Sequence, residues 1–373
     1  MEVVFWVSVL FLFYTFIGYP IILIILKKIK PENRLTEKYR KPISVVMVAC
    51  NESAYIKTKI ENILSFDFPK ELISIVIVDD CSDDETAKIV DDFNDERITL
   101  LRQKFRSGKA AGLNLAFKHV KTELTMLLDS RQKVTLNALA DLSSWFKDED
   151  VVAVSGEVKF LESDGSQGGM DAYQKYEGFI RKSESKVASV PGVSGAVYML
   201  RTDQFKPIAP DTILDDVLIP MTAAKNGGWV GFDERVIAWD IPSDDWEREK
   251  KRKTRTLNGN YQLLFRNLSW CTPFGHNNWF AFVSHKVTRL LAPIFMLLAA
   301  ISSGYMGFSK SIFYLALFFI LIGGILVYPS SLLLPALNRF KLIRIASAFV
   351  ALNWFNILGF ISYLSVNKKQ SWK

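Results

Sequence analysis

The chain has 373 residues, 49% hydrophobic and 23% charged, and its 46 Lys and Arg against 39 Asp and Glu leave a formal net charge of +7. That is enough chain for two packed units and too apolar for a disordered tail. Cys50, Cys81 and Cys271 are an odd number without close spacing, which argues against the disulfide framework of a small secreted scaffold and against a thiolate zinc site.

Mean hydropathy is +0.14, and the apolar residues concentrate at the two ends. Val3 to Leu26 carries no charge and is bracketed by Glu2 and by Lys27, Lys28 and Lys30. Such a run exceeds the roughly 20 residues that cross hydrocarbon, and its basic flank follows the apolar stretch, unlike that of a cleaved signal peptide. Leu290–Ser309, Ser311–Asn338 and Ile345–Asn367 are three further uncharged runs. Before them, Trp279, Phe280 and Phe282 alternate with His285, Lys286 and Arg289, as in an amphipathic helix in the membrane interface or a surface helix of a soluble domain. The expected layout is a membrane helix over residues 1–30, a soluble middle over 40–265, an interfacial helix over 270–289 and three membrane helices over 290–367. The lysines after the first span, with Arg339, Lys341 and Arg344, place the soluble middle on the cytoplasmic side of the plasma (inner) membrane. Lys368, Lys369 and Lys373 then fall outside, unless a late segment is re-entrant.

Between residues 40 and 265, Ile43–Ala49, Ile73–Val78, Ile98–Leu101, Leu124–Leu128 and Val151–Val154 read as buried strands separated by helical stretches. This alternation predicts an α/β domain with a mostly parallel sheet, whose ligands bind beyond the carboxyl ends of the strands. After the first strand stand Asn51 and Glu52, and after the second Asp79 and Asp80. Carboxylates there can accept from a base imide or a ribose hydroxyl, or can cap the following helix. Neither GxGxxG nor GxxxxGK[ST] follows the first strand, which weakens a dinucleotide cofactor or a P-loop. Arg106 to Asn114, with Lys109 between two glycines, opens a helix suited to phosphate or sugar contacts, or is a turn with a solvated lysine.

The fourth strand ends in Asp129-Ser130-Arg131, and a second acidic pair, Asp215-Asp216, precedes an apolar stretch. Arg248, Lys250, Lys251, Arg252, Lys253 and Arg255 form a basic run close before the membrane segments. A solvated helix face, lipid head groups and a diphosphate are its three readings. Nucleic acid is not expected, because the charge is not spread over a domain face and no recognition motif accompanies it.

In this order and spacing the segments resemble the membrane-bound family 2 glycosyltransferases, the group of cellulose, chitin and hyaluronan synthases, over nearly the whole chain. The resemblance implies a GT-A, Rossmann-like α/β domain flanked by transmembrane helices, and an inverting hexosyltransferase that uses a nucleotide sugar, with a bias to UDP. Residue by residue, it implies donor contacts for Asn51, Glu52, Asp79, Asp80, Lys109, Asn114, Asp129, Arg131, Arg252 and Arg255, with Asp80 at the base. Glu177, Gly195, Ala196 and Thr256 match acceptor-side positions. Asp216 matches the catalytic base, with Asp215 in place of the family's glutamate. A single displacement needs one base and no protein nucleophile. The implied partners are a nucleotide-sugar donor, a saccharide or lipid-linked acceptor, membrane lipids, and synthase or export subunits.

Two departures from the pattern carry consequences. Arg131 replaces the second aspartate of the family's Asp-x-Asp motif, and a guanidinium has no lone pair for a cation. Either Asp129 holds Mg²⁺ or Mn²⁺ with the donor phosphates alone, or Arg131 contacts the diphosphate itself. Thr256 replaces the tryptophan of the Gln-x-x-Arg-Trp motif, and Arg252 its glutamine, which puts processive synthesis in question. The same departures favour a catalytically impaired assembly subunit as the alternative. A transporter is disfavoured, because none of the four apolar runs contains a charge to mark an ion path.

Overall fold

A computed structural model describes residues 1–29, 39, 41–160, 168–241, 246–309 and 311–365. Lys30, Lys368, Lys369, Lys373 and the Arg248 side chain lie outside the described residues. In chain order the main elements are α1 (Glu2–Ile29), β1 (Ile43–Ala49), α2 (Ser53–Leu64), β2 (Ile73–Asp79), α3 (Thr86–Asp91), β3 (Ile98–Arg102), α4 (Lys109–Phe117), β4 (Leu124–Leu128), β5 (Lys133–Val134), α5 (Ala138–Ser144), β6 (Val151–Phe160), α6 (Gly168–Val187), β7 (Val197–Arg201), α7 (Asp215–Ala224), β8 (Trp229–Asp240), α8 (Trp246–Arg266), α9 (Trp279–Ser309), α10 (Ile312–Leu333) and α11 (Lys341–Ser365).

The strands form one sheet in the order β3-β2-β1-β4-β7-β6-β8-β5. β1 pairs in parallel with β2 and β4, β2 with β3, and β6 with β8, while β7 runs antiparallel between β4 and β6, and β5 antiparallel to β8. Every residue of β1 and β4 is buried, as continuous Val, Ile, Leu and Met runs require when helices cover both faces. One face packs Val45, Met47, Ile75 and Met126 against Ile56, Ile60 and Ile63 of α2. The other packs Val46, Val48 and Leu127 against Leu113 of α4 and Ile219 of α7. Burying each such aliphatic side chain contributes about 1.5–3 kcal/mol. The strand order reverses between β1 and β4, so a cleft opens beyond their carboxyl ends. The expected strands are present, β5, β7 and β8 are additional to them, and β6 continues to Phe160.

Among the described residues four helices are long and apolar enough to cross a membrane: α1, α9, α10 and α11. Residues 279–289, expected as an interfacial helix, are the first turns of α9. The helix is π-wound over Phe282–Val287, and its polar side chains there face protein: His285 is 3% exposed, with Nδ1 2.8 Å from Glu184 Oε1 and Nε2 3.1 Å from Glu177 Oε2, both on α6. The Tyr19 hydroxyl of α1 donates to Glu184 Oε1 at 2.7 Å, and Tyr14 meets Ser284 at 2.6 Å. On the far side α8 lies against α11, where Asn258 donates to Ser362 at 2.9 Å and the Tyr261 hydroxyl to Asn356 at 2.7 Å. Gly359 permits this approach, since a Cβ there would stand 2.6 Å from Leu257 Cβ. Gly359→Leu is therefore expected to lower stability by about 1–3 kcal/mol through overpacking, read as a lower thermal midpoint of the purified protein in detergent.

Candidate active site

The loops after β1 and β2 are tied together by their own polar residues. Asn51 adopts a left-handed conformation (φ 56°), its N–H donates to Ser82 Oγ at 3.0 Å, and its Oδ1 accepts from the Asp83 N–H at 2.8 Å. Asp80 is 1% exposed, and its two carboxylate oxygens accept the N–H groups of Ser107 and Gly108 at 2.7 and 2.8 Å. It thus holds the turn into α4, favourably placed by charge at a helix N-terminus. Asp79 is 5% exposed, with Oδ2 accepting from the Ser82 N–H and Oδ1 buried without a partner. Among the strand-end acids it is Asp79, not the fully engaged Asp80, that keeps an acceptor in reserve.

α4 is drawn close to β1 by Gly112, where a Cβ would meet Val48 Cγ1 at 2.6 Å. This seats Lys109 at the carboxyl ends of the strands, with Nζ 2.8 Å from Asp129 Oδ1 and 3.2 Å from Asp215 Oδ2. Burial alone would push the Lys109 ammonium down, but Asp129 and Asp215 outweigh it and hold the lysine charged. Asn114, expected at the donor, instead makes a two-way amide pair with Ile208, donating to its carbonyl at 2.8 Å and accepting its N–H at 2.9 Å. It fastens the segment that leads to Asp215.

Gly195 lies between the carboxylates: a Cβ there would stand 3.4 Å from Asp216 Oδ2 and 3.5 Å from Asp129 Oδ2. The Ala196 carbonyl accepts from the Asp129 N–H at 3.5 Å, and the Val193 N–H donates to the Asp216 carbonyl at 2.9 Å. Asp129, Gly195, Ala196, Asp215 and Asp216 thus come together from three separate stretches of chain. Asp216 is raised to about 6, first by burial and then by the Asp215 charge, against the pull of Lys109 and Lys286.

Arg131 clamps Glu52 with Nε and Nη2 at 3.0–3.2 Å and sits 5.6 Å over the ring of Tyr55. Asp129 is thus the one carboxylate at the Asp-x-Asp position, one of its oxygens is held by Lys109, and among the described residues no three His, Cys, Asp or Glu side chains converge on a point. This donor set does not by itself fit a divalent cation. Gly259 of α8 packs on Ile213 and Leu214, just before Asp215, and Arg252, Arg255 and Thr256 share its helix face. Arg252 is paired with Glu249 at 2.9–3.0 Å. Glu177, expected beside the acceptor, is bonded instead to His285 and Arg289 of α9.

Two residues of the site escaped the sequence reading. Lys59 is 2% exposed, donates to the Gln132 carbonyl at 2.6 Å behind the Asp129 loop, and is lowered to about 7 by burial. Its place in the Ile56, Ile60, Ile63 stripe was the available signal. Tyr198 is fully buried, with its hydroxyl unpartnered and within the field of Asp215, Asp216 and Asp129. Nothing in the sequence marks it.

A carboxyl raised in the folded state contributes stability below its unfolded pKa near 4, and that contribution is lost as pH rises through about 6. Asp216→Asn is thus expected to stabilise the fold at pH 7.5 by at most about 3 kcal/mol, read as a raised thermal midpoint, and to leave the midpoint unchanged near pH 4, measured by thermal unfolding at the two pH values.

Residues 44–205 match the family profile "Glycosyl transferase family 2". The chain is 23% identical over 257 residues to the poly-beta-1,6-N-acetyl-D-glucosamine synthase of Staphylococcus epidermidis, covering 66% of this chain and 62% of that protein. It is 32% identical over 127 residues to the glycosyltransferase GlyG of Streptococcus pneumoniae, covering 33% and 42%. The chain thus spans about three fifths of the length of the synthase. Among solved structures, the mannosyltransferase PcManGT from Pyrobaculum calidifontis, in complex with GDP-Man and Mn²⁺, superimposes with a TM-score of 0.75 at 19% identity, covering 97% of this chain and 99% of that one. With the profile match running through the strand ends of this sheet, the chain carries a glycosyl transferase family 2 domain built on the GT-A fold.

Proposed function

We propose that the protein is an inverting glycosyltransferase that moves a hexose from a nucleotide sugar to a saccharide or lipid-linked acceptor, for a cell-surface polysaccharide or glycolipid. The observation that carries this reading is the convergence of Lys109, Asp129, Asp215 and Asp216 around Gly195 beyond the strand ends. In the step proposed, Asp216 takes the proton of an acceptor hydroxyl as that oxygen forms a bond to the anomeric carbon. The bond from that carbon to the diphosphate oxygen breaks on the opposite face, and the nucleoside diphosphate leaves with the electron pair. A carboxylate raised to about 6 is basic enough for this task and still ionised at neutral pH. Lys109 Nζ lies 2.8 Å from Asp129, Arg131 follows Asp129 by two residues, and Arg252 and Arg255 lie on α8.

The sequence resemblance favours a UDP sugar, whereas PcManGT was solved with GDP-Man, so the donor panel needs both bases. When bound, a divalent cation would supply charge to the departing diphosphate; in this chain Asp129 is its one carboxylate at the motif position. The charge pattern of the loops supports a plasma-membrane protein with this domain in the cytoplasm and export subunits as partners. The second reading, an assembly subunit without turnover, draws its support from Arg131, engaged by Glu52, and from Thr256.

The test is release of nucleoside diphosphate by the purified protein from UDP- and GDP-sugars, with membrane lipid extract and short oligosaccharides as acceptors. Asp216→Asn is expected to lower kcat by about 10² to 10⁴, and the wild-type rate to rise with pH through about 6. Turnover that persists in EDTA assigns the diphosphate to Arg131 and Lys109, whereas turnover abolished by EDTA and restored by Mn²⁺ assigns a cation to Asp129. Donor binding without turnover would overturn the transferase reading in favour of the second.

A further inference from the structure

Glu52, Tyr55, Lys59 and Asn62 recur at intervals of three or four residues, so α2 and the residue before it present them along one face. That face lies along the turn that follows Asp129. Glu52 accepts from Nε and Nη2 of Arg131 at 3.0–3.2 Å, and the guanidinium sits 5.6 Å over the Tyr55 ring. Lys59 Nζ donates to the Gln132 carbonyl at 2.6 Å. The Asn62 amide donates to the Val134 carbonyl at 2.9 Å and accepts its N–H at 2.8 Å. Residues 131 to 134 are thus fastened to α2 by a side chain and then twice by their backbone.

For the fold alone, Lys59 is a poor choice. A buried ammonium gives up its water, and among the described residues Lys59 gains one hydrogen bond and no ion pair in return. An apolar side chain of similar length would fill the same space without that loss. Arg131 stands in the opposite situation, with its side chain 45% exposed. Nε and Nη2 are locked on Glu52, while Nη1 makes no hydrogen bond among the described residues. Arg131 lies two residues beyond Asp129, which Lys109 holds at 2.8 Å. A guanidinium with one edge locked has little freedom left to lose, so its open edge is preorganised for an anion with paired oxygens.

We propose that Arg131 binds the diphosphate of the nucleotide-sugar donor through this open edge, without a divalent cation, and that Lys59 is the positioning residue that holds the turn of Arg131 in place from α2. This assignment rests on the transferase reading and names the counter-charge of its leaving group. It agrees with a donor set at Asp129 that does not by itself fit a cation. The guanidinium is neither consumed nor deprotonated: as the bond to the anomeric carbon breaks, the charge gathered on the diphosphate oxygen is met by Arg131 and Lys109.

The test is calorimetric titration of the full chain in detergent with UDP and with GDP, in EDTA and without acceptor. One of the two is expected to bind, and Arg131→Gln to weaken it about tenfold. Lys59→Met is expected to weaken it by the same order, with a thermal midpoint equal to or above that of the wild type. The double variant should bind no more weakly than Arg131→Gln alone, because Lys59 acts through Arg131. Glu52→Gln, at the other end of the same face, should show the same coupling to Arg131→Gln. In the turnover assay Lys59→Met should raise the KM for donor more than it lowers kcat. Losses that multiply in the double variant, binding indifferent to Lys59→Met, or a Lys59→Met chain that unfolds overturn the positioning role, and in the last case Glu52→Gln still tests how Arg131 is held. Binding that needs Mn²⁺ in the wild type, survives Arg131→Gln, or is absent for both nucleotides overturns Arg131 as the diphosphate ligand. The expected binding pattern in a wild-type protein without turnover supports the diphosphate site and brings down the transferase reading alone.

Discussion

The site depends on one buried cation. Lys109 stands between Asp129 at the end of β4 and Asp215 at the start of α7, at 2.8 and 3.2 Å, and so joins these two parts of the chain. An ion pair of this kind is not a large net source of stability, because both partners give up water. Its effect is on geometry and on the charge left over. Burial first, and then the neighbouring Asp215 charge, raise the affinity of Asp216 for a proton against the pull of Lys109 and Lys286. Removing the Lys109 charge would leave three carboxylates in a poorly solvated space, so the lysine makes the acidic pair tolerable.

A second constraint ties this cleft to the membrane helices. The chain Tyr19, Glu184, His285, Glu177, Arg289 runs from α1 through α6 to α9, and Tyr261 with Asn356 does the same between α8 and α11. Polar groups buried among helices need partners, and here the partners belong to different elements, so each bond fixes one helix against another. α8 and α9 also border the active site, through Gly259 beside Leu214 and Lys286 beside Asp216. The apolar helices are therefore tied to the surroundings of Asp216.

Much of this was legible in the residues. The uncharged runs mark the spans, because hydrocarbon admits no unpaired charge over that length. The Val, Ile and Leu runs of β1, β2 and β4 mark central strands, and carboxylates just after them mark the cleft. β7 and β8 were not read from the sequence: β7 is a short apolar run, Val197–Leu200, with no helical stretch just before it, and β8 is broken by Asp233, Glu234 and Arg235. Lys59 was readable only as a misfit in an apolar stripe. Asp80 and Asn114 have the residue types of ligands, yet the fold spends them on the backbone of Ser107, Gly108 and Ile208.

By itself the sequence determined what depends on neighbours in the chain: where the membrane spans lie, the alternation of strand and helix, and which acidic and basic residues stand at strand ends. Tertiary structure alone decided which of those residues meet. Asp129, Gly195 and Asp216 are adjacent only because β7 enters the sheet beside β4, and α6 faces α9 only because their polar side chains have no other partners once buried. Burial and charge balance, which act through space, raised the proton affinity of one aspartate of the pair and left the other an ion-pair partner.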